Sequence, residues 1–485
     1  MSEEILKLQP KGVWKNFYKL TQIPRPSKKE GQVVNFIKQW SENLGMETII
    51  DEVGNVIIRK PAVQGMEDRK GIILQAHLDM VPQKNTNVEH DFEKDPIDAY
   101  IDGEWVTARG TTLGADNGIG VAAVMAVLES DTIKHGPVEA LFTIDEETGM
   151  TGAFELKPGI LKGDILMNLD SEDEGELYVG CAGGTNANMY YDYTEEKTLA
   201  GYKGYKISIS GLKGGHSGVD IALGKGNANV LLARFLYSAA KKYDIRIAEL
   251  EGGNMRNAIP RDGFAVVVIP EKETNDFLNF VKTYEETIQN EYKTIDPDLV
   301  FTATEVDTPE KVMNKDNQLK LVSALVATPN GVVRMSNDME GLVETSTNLS
   351  IVIIRNGKAE IMSLLRSSVD SAKYALQEVH EAIYKLIGAQ TKFDGEYPGW
   401  KPNMSSPILK AMQEQYKNLY GKIPEIKAIH AGLECGLLGG TYKNWDMISF
   451  GPTIRYPHSP DEKVNIESVQ KFWDFLVHTL ENAPK

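Results

Sequence analysis

The chain is 485 residues long, 41% hydrophobic and 25% charged, with 69 acidic against 52 basic side chains and a formal net charge of −17. That length exceeds one ordinary core and calls for two or more domains. The acidic balance argues against nucleic acid or an anionic membrane as the main partner, because both repel a negative surface.

"MSEEILKLQP" lacks the basic start and apolar centre of a secretion signal, and no later apolar run approaches the ~18 residues that span a bilayer. A cytoplasmic protein is expected. Residues 12–45 read as helices, with Ser27 and Glu30 in capping-box spacing and Gly45 closing the last turn. Gly71–Ala76 is a short unbroken apolar run, as for a strand buried on both faces. Gly118–Leu128 reads as a buried helix, and Val138–Ile144 and Ile165–Leu169 as further buried strands. Strands alternating with helices imply a mostly parallel sheet covered on both faces.

"VGCAGGTN" marks a change near residue 185. Longer alternating strands follow ("YKGYKISISG", "GFAVVVIP", "TNLSIVIIRNG"), mixed with amphipathic helices near 226–243, 274–292 and 369–388. The Pro- and Gly-rich "FDGEYPGWKPNMSSP" leads back to a helix at 407–420, a strand at 447–450 and a last helix at 466–481. The expected architecture is an α/β domain over 1–185 and 397–485, interrupted by an inserted α+β domain over 186–396.

Candidate chemistry gathers where the predicted strands end. His77 and Asp79 follow the first; two apart on an extended chain, they point to one side. Asp116 lies in "GTTLGADNGIG", Glu146 and Glu147 follow "VEALFTI", Asp170 ends "DILMNLD", and His458 lies in "GPTIRYPHSPDE". The carboxyl ends of strands form the usual ligand crevice of an open α/β sheet. Two imidazoles and several carboxylates there make an N and O ligand set for zinc, manganese or cobalt. The only cysteines, Cys181 and Cys435, are too few for a thiolate site. One bridging carboxylate would fit two ions, and Asp116, ahead of a helix whose positive end favours an anion, suits that place best. Taken singly, each residue has a plainer reading. Asp116 is equally a helix cap. Glu146 and Glu147 make an acidic turn with Asp145, Asp170 heads a solvated loop, and His458 is a surface residue.

"AHLDMVP", "GTTLGADNGIGVA", "TIDEETGMTGA", "NLDSED", "GGHSG" and "YPHSPDEKV" together resemble the dinuclear-zinc family of aminoacylases, carboxypeptidases and dipeptidases. "IPRPSKKE", "LYVGCAGG", "GGNMRNAIPR", "LLRSS" and "HAGLECG" are similar to its bacterial branch that cleaves Xaa-His dipeptides, and the resemblance runs from about residue 10 to 470. It implies a zinc-exopeptidase catalytic domain with the α+β insertion as a lid. It also implies that His77 and Asp170 hold one metal and Glu147 and His458 the other, bridged by Asp116. Asp79 would orient the His77 ring, Glu146 would be the general base, and His216 would stabilise the oxyanion. Asn257 and Arg366 would hold the substrate, the arginine by its carboxylate, and Glu434 would meet an ammonium group. His430 is left as structural, and His90, His135, His380 and His478 as ordinary surface or helix residues. Two divalent ions, small dipeptides and no macromolecular ligand follow, with a homodimer among the arrangements the family admits. An N-acyl amino acid amidohydrolase and a non-catalytic binding relative are the competing expectations.

Overall fold

The structure, a computed structural model, describes residues 3–485; Met1 and Ser2, at the head of the N-terminal stretch discussed above, lie outside the described residues. The chain divides into two compact units. The first comprises Met1–Gly180, Pro402–Ala428 and Leu433–Lys485, and the second Cys181–Lys401 together with the four residues Ile429–Gly432. That short second visit has no counterpart in the three-part division drawn from the sequence.

The first unit is built on an eight-stranded mixed sheet. At its centre Ile72–His77 runs parallel to Val138–Thr143 on one side and to Ile165–Asn168 on the other, and Asp446–Ser449 continues parallel beyond the last. All three central strands are buried along their whole length, as their apolar runs require of strands covered on both faces. Antiparallel neighbours, Val56–Lys60 and then Glu47–Ile50, flank the Val138 side. The helix Ala115–Glu129 is apolar all round and sealed from solvent over almost all of its length, as expected of a helix with no polar face. It packs on the helix Lys11–Thr21. At Gly12 a Cβ would meet the Ala126 Cβ at 3.2 Å, so glycine lets the two axes approach. Trp14 and Phe17 on the same helix are fully buried, each contributing roughly 2–3 kcal/mol by loss of apolar surface from water.

Glu30 does not complete a capping box with Ser27. The helix starts at Gly31, and both side chains are drawn off by the loops at the sheet's end.

The second unit holds a nine-stranded sheet whose hydrogen-bonded path runs Val300–Val306, Tyr202–Ser210, Gly263–Pro270, Arg246–Gly252, Val343–Arg355, Lys358–Ser367, Gly183–Asp192 and Gln390–Tyr397. Gly331–Met335 adds to Val343–Arg355, and every pairing is antiparallel. Helices Ala228–Lys242, Thr274–Tyr292, Lys315–Ala327 and Asp370–Leu386 contribute to its core, where Phe235, Phe277 and Tyr284 of the first two gather with Phe301 of the Val300–Val306 strand. The Lys315–Ala327 helix is absent from the sequence-based expectation, because its apolar residues are spread around the helix, Leu319 and Val326 standing on the exposed face.

Candidate metal centre

The central strand ends on His77, and the chain leaves the sheet through Leu78 and Asp79. Asp79 is wholly buried, and its Oδ1 faces His77 Nδ1 at 3.3 Å. Its Oδ2 accepts from Ser27 Oγ at 2.8 Å, and the two oxygens also accept the backbone N–H groups of Glu146 (3.0 Å) and Glu147 (3.3 Å). One carboxylate thus orients the imidazole and ties it to the paired-glutamate turn. These bonds, with the His77 ring, hold Asp79 down at about 2 against the opposing effect of burial.

Glu146 and Glu147 open a single helical turn after Asp145, whose φ of 53° is left-handed. Asp145 is fixed there by Thr148 and Thr151 hydroxyls on its carboxylate and by Glu30 Oε1 on its N–H at 3.1 Å. Aspartate is among the few residues that tolerate this conformation.

Asp116 is not a helix cap. The helical hydrogen bonding resumes at Gly118 after non-helical Asp116 and Asn117, with a cis peptide between the two. The anion at these free amides is Glu462, whose carboxylate accepts from the N–H of Leu113 (2.7 Å), Gly114 (2.9 Å), Ala115 (2.7 Å) and Asp116 (3.2 Å). Arg25, also buried, donates from Nη1 to the carbonyls of Leu78 and Asp79 (2.9 Å each) and from Nη2 to that of Gly114 (2.5 Å). Glu462 therefore joins the His458 loop to the Asp116 loop, and Arg25 joins the Asp116 loop to the end of the His77 strand. Sequence reasoning missed both. Both left a trace: Glu462 lies four residues past His458 in "HSPDE", and Arg25 stands in "IPRPSKKE", but neither motif gave them a role.

The Asp116 carboxylate is thereby free to face two ways. His77 Nε2 lies 3.1 Å from its Oδ1 and 3.3 Å from Asp170 Oδ1; His458 Nε2 lies 3.2 Å from its Oδ2 and 2.9 Å from Glu147 Oε2. Two triads share one carboxylate: His77, Asp116, Asp170 and Asp116, Glu147, His458. Ligands about 2.0–2.1 Å from a tetrahedral zinc stand about 3.3 Å from one another, so the spacing fits a pair of ions. Glu147 Oε1 and Asp170 Oδ1 are also buried with no hydrogen-bond partner, a cost a cation would remove. His458 sits at a φ of 60°, which turns its ring onto the cluster.

The electrostatics show the same shortage of positive charge. Hydrogen bonds to Asp116 and Glu147 raise His458 to about 11. Burial drives Asp170 up to about 7 and, with Asp170, Glu434 and Glu147 nearby, lifts Glu146 well above the carboxylate range. Asp116 stays low despite burial, because both histidines bond it.

Glu434 is buried in the same unit. Its Oε2 accepts from Gln75 Nε2 (2.6 Å) and Thr143 Oγ1 (2.9 Å), its Oε1 has no partner, and burial pushes it to about 8. His216, Asn257 and Arg366 belong to the second unit. There Arg366 is buried with its Nη1 donating to Tyr397 Oη at 2.9 Å, and its Nε is unpartnered. Asn257 is exposed in the turn before Ala258–Ile259, and its carbonyl accepts the Ser217 N–H at 2.8 Å. His430 is buried with Nε2 2.7 Å from Ser346 Oγ, as a structural histidine is. His380 is a helix residue, on the buried face of Asp370–Leu386, whereas His135 is fully buried rather than on the surface; each has Nδ1 on a local carbonyl.

The profile of peptidase family M20/M25/M40 matches residues 73–482. Over 481 residues the chain is 46% identical to a cytosol non-specific dipeptidase of Escherichia coli, covering 99% of both. The crystal structure of an aminoacylhistidine dipeptidase from Vibrio alginolyticus superposes with a TM-score of 0.95 at 49% identity, over 100% of both chains. An aminopeptidase PepT from Bacillus cereus shares the fold at a TM-score of 0.58 and 16% identity, covering 98% of this chain and 99% of that one.

Proposed function

The chain belongs to peptidase family M20/M25/M40, and from that premise we propose that it is a dinuclear metal-dependent dipeptidase acting on Xaa-His and related dipeptides, β-alanyl-histidine among them. The observation that carries the proposal is the pair of triads sharing Asp116 with Glu146 beside them. His77 and Asp170 hold one ion, Glu147 and His458 the other, and Asp116 bridges. When bound, the two divalent ions, here assigned as zinc, polarise the scissile carbonyl and acidify water.

Glu146 accepts a proton from the attacking water as its oxygen bonds to the carbonyl carbon. It returns the proton to the amine nitrogen as the C–N bond breaks. Asp79 keeps the His77 ring turned so that Nε2 faces the ligand set. His216 donates to the oxyanion, Arg366 grips the substrate carboxylate, and Asn257 assists in holding the substrate. Glu434, with one buried oxygen unpartnered, receives the free ammonium group, and this favours a dipeptide over an N-acyl amino acid. The names of the Escherichia coli and Vibrio relatives support the substrate class and a cytoplasmic setting.

The test is turnover by the zinc-loaded protein on a panel of dipeptides and their N-acetylated forms. Xaa-His dipeptides should be cleaved and their acetylated counterparts should not. Preference for the acetylated forms would overturn the dipeptidase reading in favour of a deacylase.

A further inference from the structure

His216 sits in a turn that decides where its ring proton resides. Gly215–His216 pairs antiparallel with Ala258–Ile259, and the chain then folds back so that His216 Nδ1 accepts the backbone N–H groups of Gly218 and Val219, both at 3.1 Å. Two donors on one nitrogen occupy its lone pair and exclude a proton there. The ring's single hydrogen is left on Nε2. Protonating Nδ1 would set an N–H against two N–H groups and break both bonds.

The backbone of the same residue is held from the other side. Asp220 Oδ2 accepts the His216 N–H at 2.8 Å, while the Asp220 N–H returns to the His216 carbonyl at 3.1 Å. Lys225 Nζ lies 3.3 Å from the same Asp220 oxygen and balances its charge. Two glycines make room for this arrangement. A Cβ on Gly215, whose φ is 155°, would fall 2.3 Å from Asp220 Oδ2 and 2.5 Å from Lys225 Nζ. One on Gly218 would fall 2.1 Å from the His430 carbonyl oxygen.

We propose that Asp220 is a positioning residue that, together with the Gly218 and Val219 amides, locks His216 as a neutral imidazole with its proton on Nε2. His216 then serves the reaction as a fixed N–H donor and neither as a general base through Nδ1 nor as a cation. Burial and then the Arg366 charge push the ring below the usual histidine value and outweigh the Asp220 carboxylate, whose charge alone would favour the cation; the balance favours the same neutral state. The inference rests on the assignment of His216 to the oxyanion, but its central claim concerns a proton position that is read without turnover.

The test uses the full-length, zinc-loaded protein labelled with 15N-histidine, with the His216 ring signals assigned by their loss in His216→Gln. Long-range 1H–15N correlation should show a protonated Nε2 and an unprotonated, hydrogen-bonded Nδ1. A proton on Nδ1, or averaging between the nitrogens, would overturn the proposal. Asp220→Ala should cost about ten- to a hundredfold in kcat, leave KM and metal content unchanged, and show an averaged tautomer signal. Asp220→Asn, which keeps the acceptor oxygen, should recover most of the loss. Wild-type kcat and a wild-type spectrum in Asp220→Ala would remove Asp220 from the account. If His216→Ala leaves kcat intact while the wild-type protein shows the Nε2–H signal, the oxyanion assignment fails and the tautomer lock stands.

Discussion

Glu146 and Glu147 are neighbours in sequence with different surroundings. Glu147 Oε2 meets His458 at 2.9 Å within a triad, whereas Glu146 belongs to neither of the triads that share Asp116. Glu146→Gln keeps shape and removes basicity, so zinc content should hold while kcat falls by about 10²–10⁴-fold, the usual size of general-base catalysis. Glu147→Gln should instead weaken zinc binding, and elemental analysis beside a single-turnover assay separates the two. Asp116 offers one oxygen to each histidine. Asp116→Ala should therefore lose both ions, while His458→Ala should leave about one per chain, as counted after dialysis against a weak chelator. These three carboxylates could be singled out as an adjacent acidic pair and a carboxylate ahead of an apolar helix. Their surroundings could not. Ser27 and Glu30 have the spacing of a capping box, yet Ser27 bonds Asp79 and Glu30 accepts the Asp145 N–H. Local spacing says nothing about a buried carboxylate arriving from a strand fifty residues away.

At the scale of elements, loops from different parts of the chain are bound together at the sheet's carboxyl edge. Glu462 gathers four successive N–H groups and Arg25 three carbonyls. Glu462→Ala would leave those amides buried without acceptors, at roughly 1–3 kcal/mol for each that finds no water. It should lower the thermal midpoint of the metal-free protein and weaken zinc about 10–100-fold by calorimetry. An unchanged affinity would make Glu462 a stability residue only. In the second unit the contrast lies between His216 and Arg366. An interaction made only in the transition state lowers kcat and kcat/KM together, so His216→Ala should cost about 10²–10³ in kcat. Arg366→Ala should mainly raise KM, because a carboxylate is gripped before and after the bond breaks. Strands and long helices were legible because their apolar periods are strong. The Lys315–Ala327 helix was not, since its amphipathic pattern is blurred by exposed Leu319 and Val326.

For the whole molecule, ions that bind the folded state alone stabilise it by mass action, about 2.7 kcal/mol per site at a hundredfold excess over the dissociation constant. Chelation should lower the first unit's unfolding temperature by several degrees, and zinc should restore it, as followed by scanning calorimetry. A midpoint indifferent to zinc would mean that the triads hold no ion. The resemblance carried by a handful of motifs spanned nearly the whole chain, which is why fold and chemistry were readable together. What no motif announced was the return of Ile429–Gly432 to the second unit.

Those four residues decide how the protein can be taken apart. Ala182 donates its N–H to the carbonyls of Ile429 and Ala431, and His430 reaches Ser346. A fragment cut at residues 181 and 401 would leave these partners behind on the remainder of the chain. The second unit is therefore not a removable cassette. Swapping it between relatives, expressing it alone, or joining its ends in a permuted gene requires two segments to travel together. A fragment that carries only the long one should show exposed apolar surface and a loosened strand at Gly183–Asp192, the strand that begins beside Ala182.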